Sequence, residues 1–342
     1  MDFTLDAGQQ QFGAALHELL TAADCPSAIR ARAAGDREPG LKLWQSLAAS
    51  GVTALVVPDE FGGLGGSPAD LVVACEEIGH HAIPGPVAES LAAVPVLLAA
   101  AAGPDGLPEL RQELAGALAA LAAGQLTATL ACPPLLPYAA DADATGLVLL
   151  AGPDALQAGQ LGPVLRSVHA ARTLTEVTGG RVLAEGPAYQ RAAIRAADFG
   201  TLANSAQLLG AGRALLEASA RHARERIQFG RPVGSFQAVK HLLADVLIGV
   251  EFARPLLYAA AVAIGAGAAT APRDVSAAKV ACAGAAYRAA RVALQVHGAI
   301  GYTAEHDAGL WITLIQALRP AWGSESWHKA RVLSAVTAET GS

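Results

Sequence analysis

The stretch of this 342-residue chain richest in chemically useful side chains is Glu225-Arg226-Ile227-Gln228-Phe229-Gly230-Arg231-Pro232-Val233-Gly234-Ser235-Phe236-Gln237. A guanidinium fork is shaped for the paired oxygens of a pyrophosphate, and a helix start adds positive potential for the same anion. The run predicts a helix ending at Phe229 and capped by Gly230, with the next helix starting at Ser235 and Gln237 near its opening. Further along, Gln295-Val296-His297-Gly298-Ala299-Ile300-Gly301 predicts a helix end that turns through glycines, a weak signal by itself. His297 has no second metal ligand at a helical spacing, so local packing is expected of it and no metal site is expected. Gly62-Gly63-Leu64-Gly65-Gly66 lacks the Lys-Ser/Thr pair of a phosphate loop and reads as a tight interhelical turn.

These runs are similar to motifs of the acyl-CoA dehydrogenase family. Val57-Pro58-Asp59-Glu60-Phe61-Gly62-Gly63-Leu64-Gly65 and the following Glu76-Glu77-Ile78-Gly79 resemble that family's N-terminal loop and next helix. The likeness covers nearly the whole chain and is strongest from Leu208 to Val332. It implies FAD as cofactor, an acyl-CoA thioester as substrate and an electron-transfer flavoprotein as acceptor. In that chemistry a carboxylate takes the α-proton while the β-hydride leaves for the flavin. The resemblance further implies that Arg226 and Phe229 hold the pyrophosphate and adenosine end of FAD. Gln228, Gln237, Gln295, His297, Gly298 and Gly301 complete the implied cofactor contacts, with Ala299 where relatives usually carry a second glycine.

Three departures from the family form a pattern. Counting on from Gln295, the usual catalytic glutamate falls on Trp322, followed by Gly323 and Ser324. An indole has no basic lone pair and cannot take a proton. Counting back from Arg226, the family's alternative base falls at or beside Gly200, next to Thr201, with Asp198 the nearest carboxylate. Where relatives carry a flavin-contacting Thr-Glu-Pro segment, this chain has Ala131-Cys132-Pro133-Pro134-Leu135-Leu136-Pro137-Tyr138. Glu305 and Asp307 read as first-turn acids behind a Thr303 cap. The expectation is a chain without a catalytic residue of its own. It would pair with a homologous, complete acyl-CoA dehydrogenase chain as a heterotetramer and lend it the pyrophosphate side of an FAD site. This resembles the short subunit of steroid side-chain acyl-CoA dehydrogenases. Two alternatives stay open: a scaffold that touches no cofactor, and a self-sufficient homotetramer using Asp198 or Glu305.

The elements that must position these residues are mainly helical. An N-terminal helical domain is expected over residues 1–123, with Ser67 capping a helix that stops near Gly79. A reduced β domain over 124–186 is marked by short pieces at 126–130, 146–150 and 181–183. A C-terminal antiparallel four-helix bundle follows over 187–342, where Glu217 and Arg221 have the favourable i,i+4 order and Pro255 threatens a kink. Hydrophobic residues make up 53% and charged ones 16%, at a net charge of −6, which argues against disorder and against a basic nucleic-acid footprint. Mean hydropathy is +0.36, yet residues 91–102 and 256–269 fall short of the roughly 20 strongly apolar residues of a membrane span. The acidic start, Met1 to Asp6, lacks a signal-peptide pattern. The four scattered cysteines fit a reducing cytoplasm.

Overall fold

The computed structural model describes residues 5–303 and 306–340. Six helices come first: α1 (Ala7–Ala22), α2 (Cys25–Ala33), α3 (Glu38–Ala49), α4 (Pro68–His80), α5 (Val94–Ala102) and α6 (Arg111–Ala122). Ser67 and Asp70 close a reciprocal capping box at the start of α4. The helix does not stop at Gly79 but runs through it to His80. A Cβ at Gly79 would stand 2.1 Å from the Gln207 carbonyl oxygen, and one at Gly210 would stand 1.9 Å from that of Glu76. Gly79 is therefore a packing glycine that lets two helix backbones cross closely, and not a cap.

The strands β1 (Ala128–Ala131), β2 (Ala139–Ala140), β3 (Leu147–Ala151), β4 (Ala155–Arg166) and β5 (Thr173–Glu185) form one sheet in the order β1-β3-β4-β5-β2. The β1–β3 pair is parallel and the other pairs are antiparallel. β4 escapes the sequence reading because its Gln, Gly and Pro carry little strand propensity. Pairing along β5 holds it instead.

α7 (Gly186–Glu225) is a 40-residue helix, about 60 Å long at 1.5 Å per residue. Its middle, residues 198–212, is buried all round, which small residues such as Gly200, Ala203, Ser205 and Ala206 permit. After it come the two-residue strands β6 (Ile227–Gln228) and β7 (Arg231–Pro232), then α8 (Gln237–Gly265), α9 (Ala271–His297), α10 (Ala308–Leu318) and α11 (Glu325–Thr340). α8 continues through Pro255. The carbonyl that the proline leaves unbonded, that of Glu251, lies on an exposed turn where water can satisfy it. Among the described residues, α8 alone is long and apolar enough to cross a membrane, and 44% of its apolar window is buried inside the protein.

Buried carboxylates tie the two helical parts together. Glu76 on α4 accepts from Arg213 at 2.9 Å and from Arg254 at 3.0 Å, and Glu77 accepts from Arg213 at 2.7 Å. Glu217 turns to His80 at 3.0 Å and to Arg213 at 3.7 Å, not to Arg221 as its spacing suggested.

Candidate flavin site and its filled half

The helix before the motif does not run on to Phe229 but ends with Arg226 as its C-cap. α7 stops at Glu225, and the chain folds into a hairpin in which Ile227 pairs with Pro232 and Gln228 with Arg231. Phe229 and Gly230 form its turn with φ of 51° and 75°, the paired left-handed geometry of a type I′ turn. The sequence reading failed because Phe229 is an unusual residue for that conformation. The hairpin raises the Phe229 ring into solvent, where it is 91% exposed. Phe236 lies edge-on to it at 6.2 Å, with the Arg231 guanidinium 4.1 Å above Phe236. Arg226 and Gln228 are exposed beside them, as is Gln237 at the first turn of α8.

α9 ends at His297, and Gly298 takes a φ of 62°. Gln295 and Gly298 are exposed and Gly301 is buried. His297 is also buried; its Nδ1 lies 2.7 Å from the Ala293 carbonyl, and its ring stacks on His222 at 4.5 Å. Since His222 lies one turn before Arg226, this contact holds the motif-bearing ends of α7 and α9 side by side. His306 adds a third ring 4.8 Å from His297, a neighbour that helical spacing could not reveal. His306 Nδ1 also accepts from the Ala308 N–H at 3.1 Å, while Thr303 bonds back to Ile300. The N-cap of α10 is Asp307, which makes no side-chain capping bond, so Thr303 does not cap the helix and His306 takes its first N–H. Glu305 lies outside the described residues. Asp307 is ion-paired with Arg30 at 2.7 Å.

The three departures seen in the sequence meet in space. Trp322, at φ 61° and 1% exposed, lays its ring against Gly200 so closely that a Cβ there would stand 2.5 Å from it. The Gly323 N–H donates to the Leu135 carbonyl at 3.0 Å, which brings in the Cys132–Tyr138 segment. His328 Nε2 donates to the Trp322 carbonyl at 2.8 Å and fixes the loop. An indole thus fills the space beside Gly200, between the two positions that the sequence comparison singled out. Asp198 is buried and accepts from Arg331 at 2.7 Å. Burial raises its carboxyl, and Arg331 partly offsets that rise. Nearby, Glu89 sits in a π-helical turn, residues 89–93. Full burial pushes its carboxyl up; Arg172 opposes this, and so does the Trp322 N–H, which approaches without a hydrogen bond of ordinary length. Lys279 is also buried, donating to Asn204 and to the Leu318 and Ala321 carbonyls, and burial lowers it to about 7. Lys279 carried no sequence signal, because it stands among small apolar residues.

A cavity of about 490 Å³ opens between α1, α4 and the adjacent ends of α7 and α9. It is lined by His17, His80, His81, His222, His297 and His306.

Residues 6–120 match the N-terminal domain of acyl-CoA dehydrogenases and residues 190–337 the C-terminal domain. The chain belongs to the acyl-CoA dehydrogenase family, FAD-dependent oxidoreductases that act on acyl-CoA. It is 33% identical to the acyl-CoA dehydrogenase IpdE2 of Mycobacterium tuberculosis over 84% of each chain. Its fold matches one chain of the ChsE4-ChsE5 complex of the same organism at a TM-score of 0.81 and 24% identity, over 98% of this chain and 99% of that one. A variant of the Tcur3481-Tcur3483 steroid acyl-CoA dehydrogenase superposes at 0.80 with 24% identity, over 99% and 100%.

Proposed function

We propose that this chain is the base-lacking subunit of a heteromeric FAD-dependent acyl-CoA dehydrogenase, lending the pyrophosphate and adenosine side of the flavin site to a homologous partner. The observation that carries this reading is Trp322 packed on Gly200, which leaves no room for a base between them. The residues fit the outer half of the cofactor. Arg226 stands exposed at the base of the hairpin and Phe229 at its turn, and Gln237 and Gln295 are exposed at the start of α8 and the end of α9. Arg226 would clamp a pyrophosphate, Phe229 would cover the adenosine, and Gln295 with Gly298 would let backbone and amide approach. Bound FAD supplies the hydride acceptor for α,β-dehydrogenation. The partner supplies the carboxylate, and an electron-transfer flavoprotein takes up the electrons.

A chain that works in an assembly should carry an apolar face for it. On α8, Leu247, Ile248, Phe252 and Leu256 form such a stripe, with Phe252 75% exposed. A steroid-type acyl-CoA is the proposed substrate class, supported by the family likeness and by a similar fold described as a steroid enzyme. A cytoplasmic setting goes with it, since all four cysteines are free thiols. The test is co-expression with a genomically adjacent homologue and measurement of flavin per chain. One flavin per pair of chains supports the half-site, and one per chain refutes it. Arg226→Ala should weaken FAD retention by about 1.5–3 kcal/mol, the worth of a hydrogen bond to a charged group. Unchanged flavin content would remove Arg226 from the site.

A further inference from the structure

The histidines at the α1–α4 end of the cavity have no part in that function. We infer that His17, His80 and His81 form a binding site for a divalent late transition cation, with Zn²⁺ the best match. Their rings contact one another in all three pairs, with centroids 5.1, 5.0 and 4.8 Å apart. One ligand atom from each of the three, and one from Glu77, lie within 4.8 Å of one another. One nitrogen of every ring is already committed to an acceptor. His17 Nδ1 lies 2.9 Å from the Glu77 carboxylate, which can only accept, so in the neutral ring that a metal ion binds the lone pair is on Nε2. His80 Nε2 lies 3.0 Å from the Glu217 carboxylate, which leaves the lone pair on Nδ1. That atom is buried and has no partner. His81 Nδ1 lies 3.0 Å from the Glu77 carbonyl, which leaves Nε2 as an acceptor for the Thr21 hydroxyl at 3.1 Å.

Two carboxylates and one carbonyl therefore orient three imidazoles as acceptors. Metal-binding histidines are held in this way, by an acceptor on the nitrogen away from the ion. Three neutral imidazoles suit zinc, nickel or copper, and a zinc set of three protein ligands leaves a fourth position for solvent. All three histidines line the cavity, so that position has access to water. The other trio is set differently. His306 Nδ1 accepts from a backbone N–H, which puts its ring proton on Nε2. This inference does not depend on the dehydrogenase reading.

The test is equilibrium dialysis with Zn²⁺ on the untagged full-length chain, purified with any partner that accompanies it. One zinc per chain is expected, with affinity falling about 10–100-fold in Glu217→Gln, as for other altered orienting partners. His80→Ala should bind none. His17 is 44% exposed at its side chain, so His17→Ala serves as the variant that folds. Zinc should raise the melting temperature of the parent chain and not that of His17→Ala. Substoichiometric binding, or zinc retained by His17→Ala and lost from His306→Ala, would overturn the assignment.

Discussion

An alanine at Gly200 would place its methyl 2.5 Å from the Trp322 ring, and the ring has little freedom to retreat. Its backbone is pinned by His328 on one side and by Leu135 on the other. Gly200→Ala should therefore destabilise the chain by about 1–3 kcal/mol, the usual penalty for overpacking a tight core. Adding Trp322→Leu should recover part of that loss, so that the urea stability of the double variant exceeds the sum of the singles. Strictly additive losses would mean that the two residues do not press on each other. Counting from Gln295 and from Arg226 leads to Trp322 and Gly200 separately, and neither side chain can take a proton. That they touch was beyond the sequence, since 122 positions separate them and nothing in either segment encodes the contact.

Among the elements, the hairpin after α7 gives the clearest separation of stability from use. Phe229 has a φ of 51°, where a non-glycine residue is unusual and asparagine is among the better tolerated. Its ring is almost wholly in solvent, so burial returns little for the strained backbone. Phe229→Asn should leave the melting temperature unchanged or slightly higher while flavin content of the complex falls. A loss of stability with flavin retained would make the ring structural. The long helices were legible because their apolar periodicity spans many turns, and the Ser67 cap because its capping chemistry is local. Gly79 was misread because a glycine near a helix end looks alike whether it ends the helix or admits another backbone. The hairpin was misread because the helical pattern of α7 gave no sign that it stops at Glu225.

Across the molecule, buried histidines set the response to acid. Burial lowers His169 to about 4, with the Arg172 charge adding to the effect. Burial likewise lowers His328 to about 4; its bond to the Trp322 carbonyl opposes the shift, and Lys279 and Arg331 reinforce it. An unfolded histidine titrates near 6.5, so below that pH the unfolded chain takes up protons that the folded chain refuses. Stability contributed by these two groups is complete above about pH 6.5 and drains away toward pH 4. The slope is about 1.4 kcal/mol per pH unit for each fully responding group. Urea unfolding at several pH values between 7.5 and 4.5 measures that slope, and His169→Gln should reduce it. The packing of Trp322 on Gly200 also bears on how this chain could change. Trp322→Glu alone would leave part of the indole's space empty and bury a carboxyl in it, both destabilising changes. It would also set a second carboxylate near buried Glu89, whose own carboxyl is already pushed up. Filling that hole would need a side chain at Gly200, which is tolerable only once the tryptophan has gone. Each substitution is costly without the other, so a carboxylate at this place calls for two coupled changes, and no single mutation supplies it.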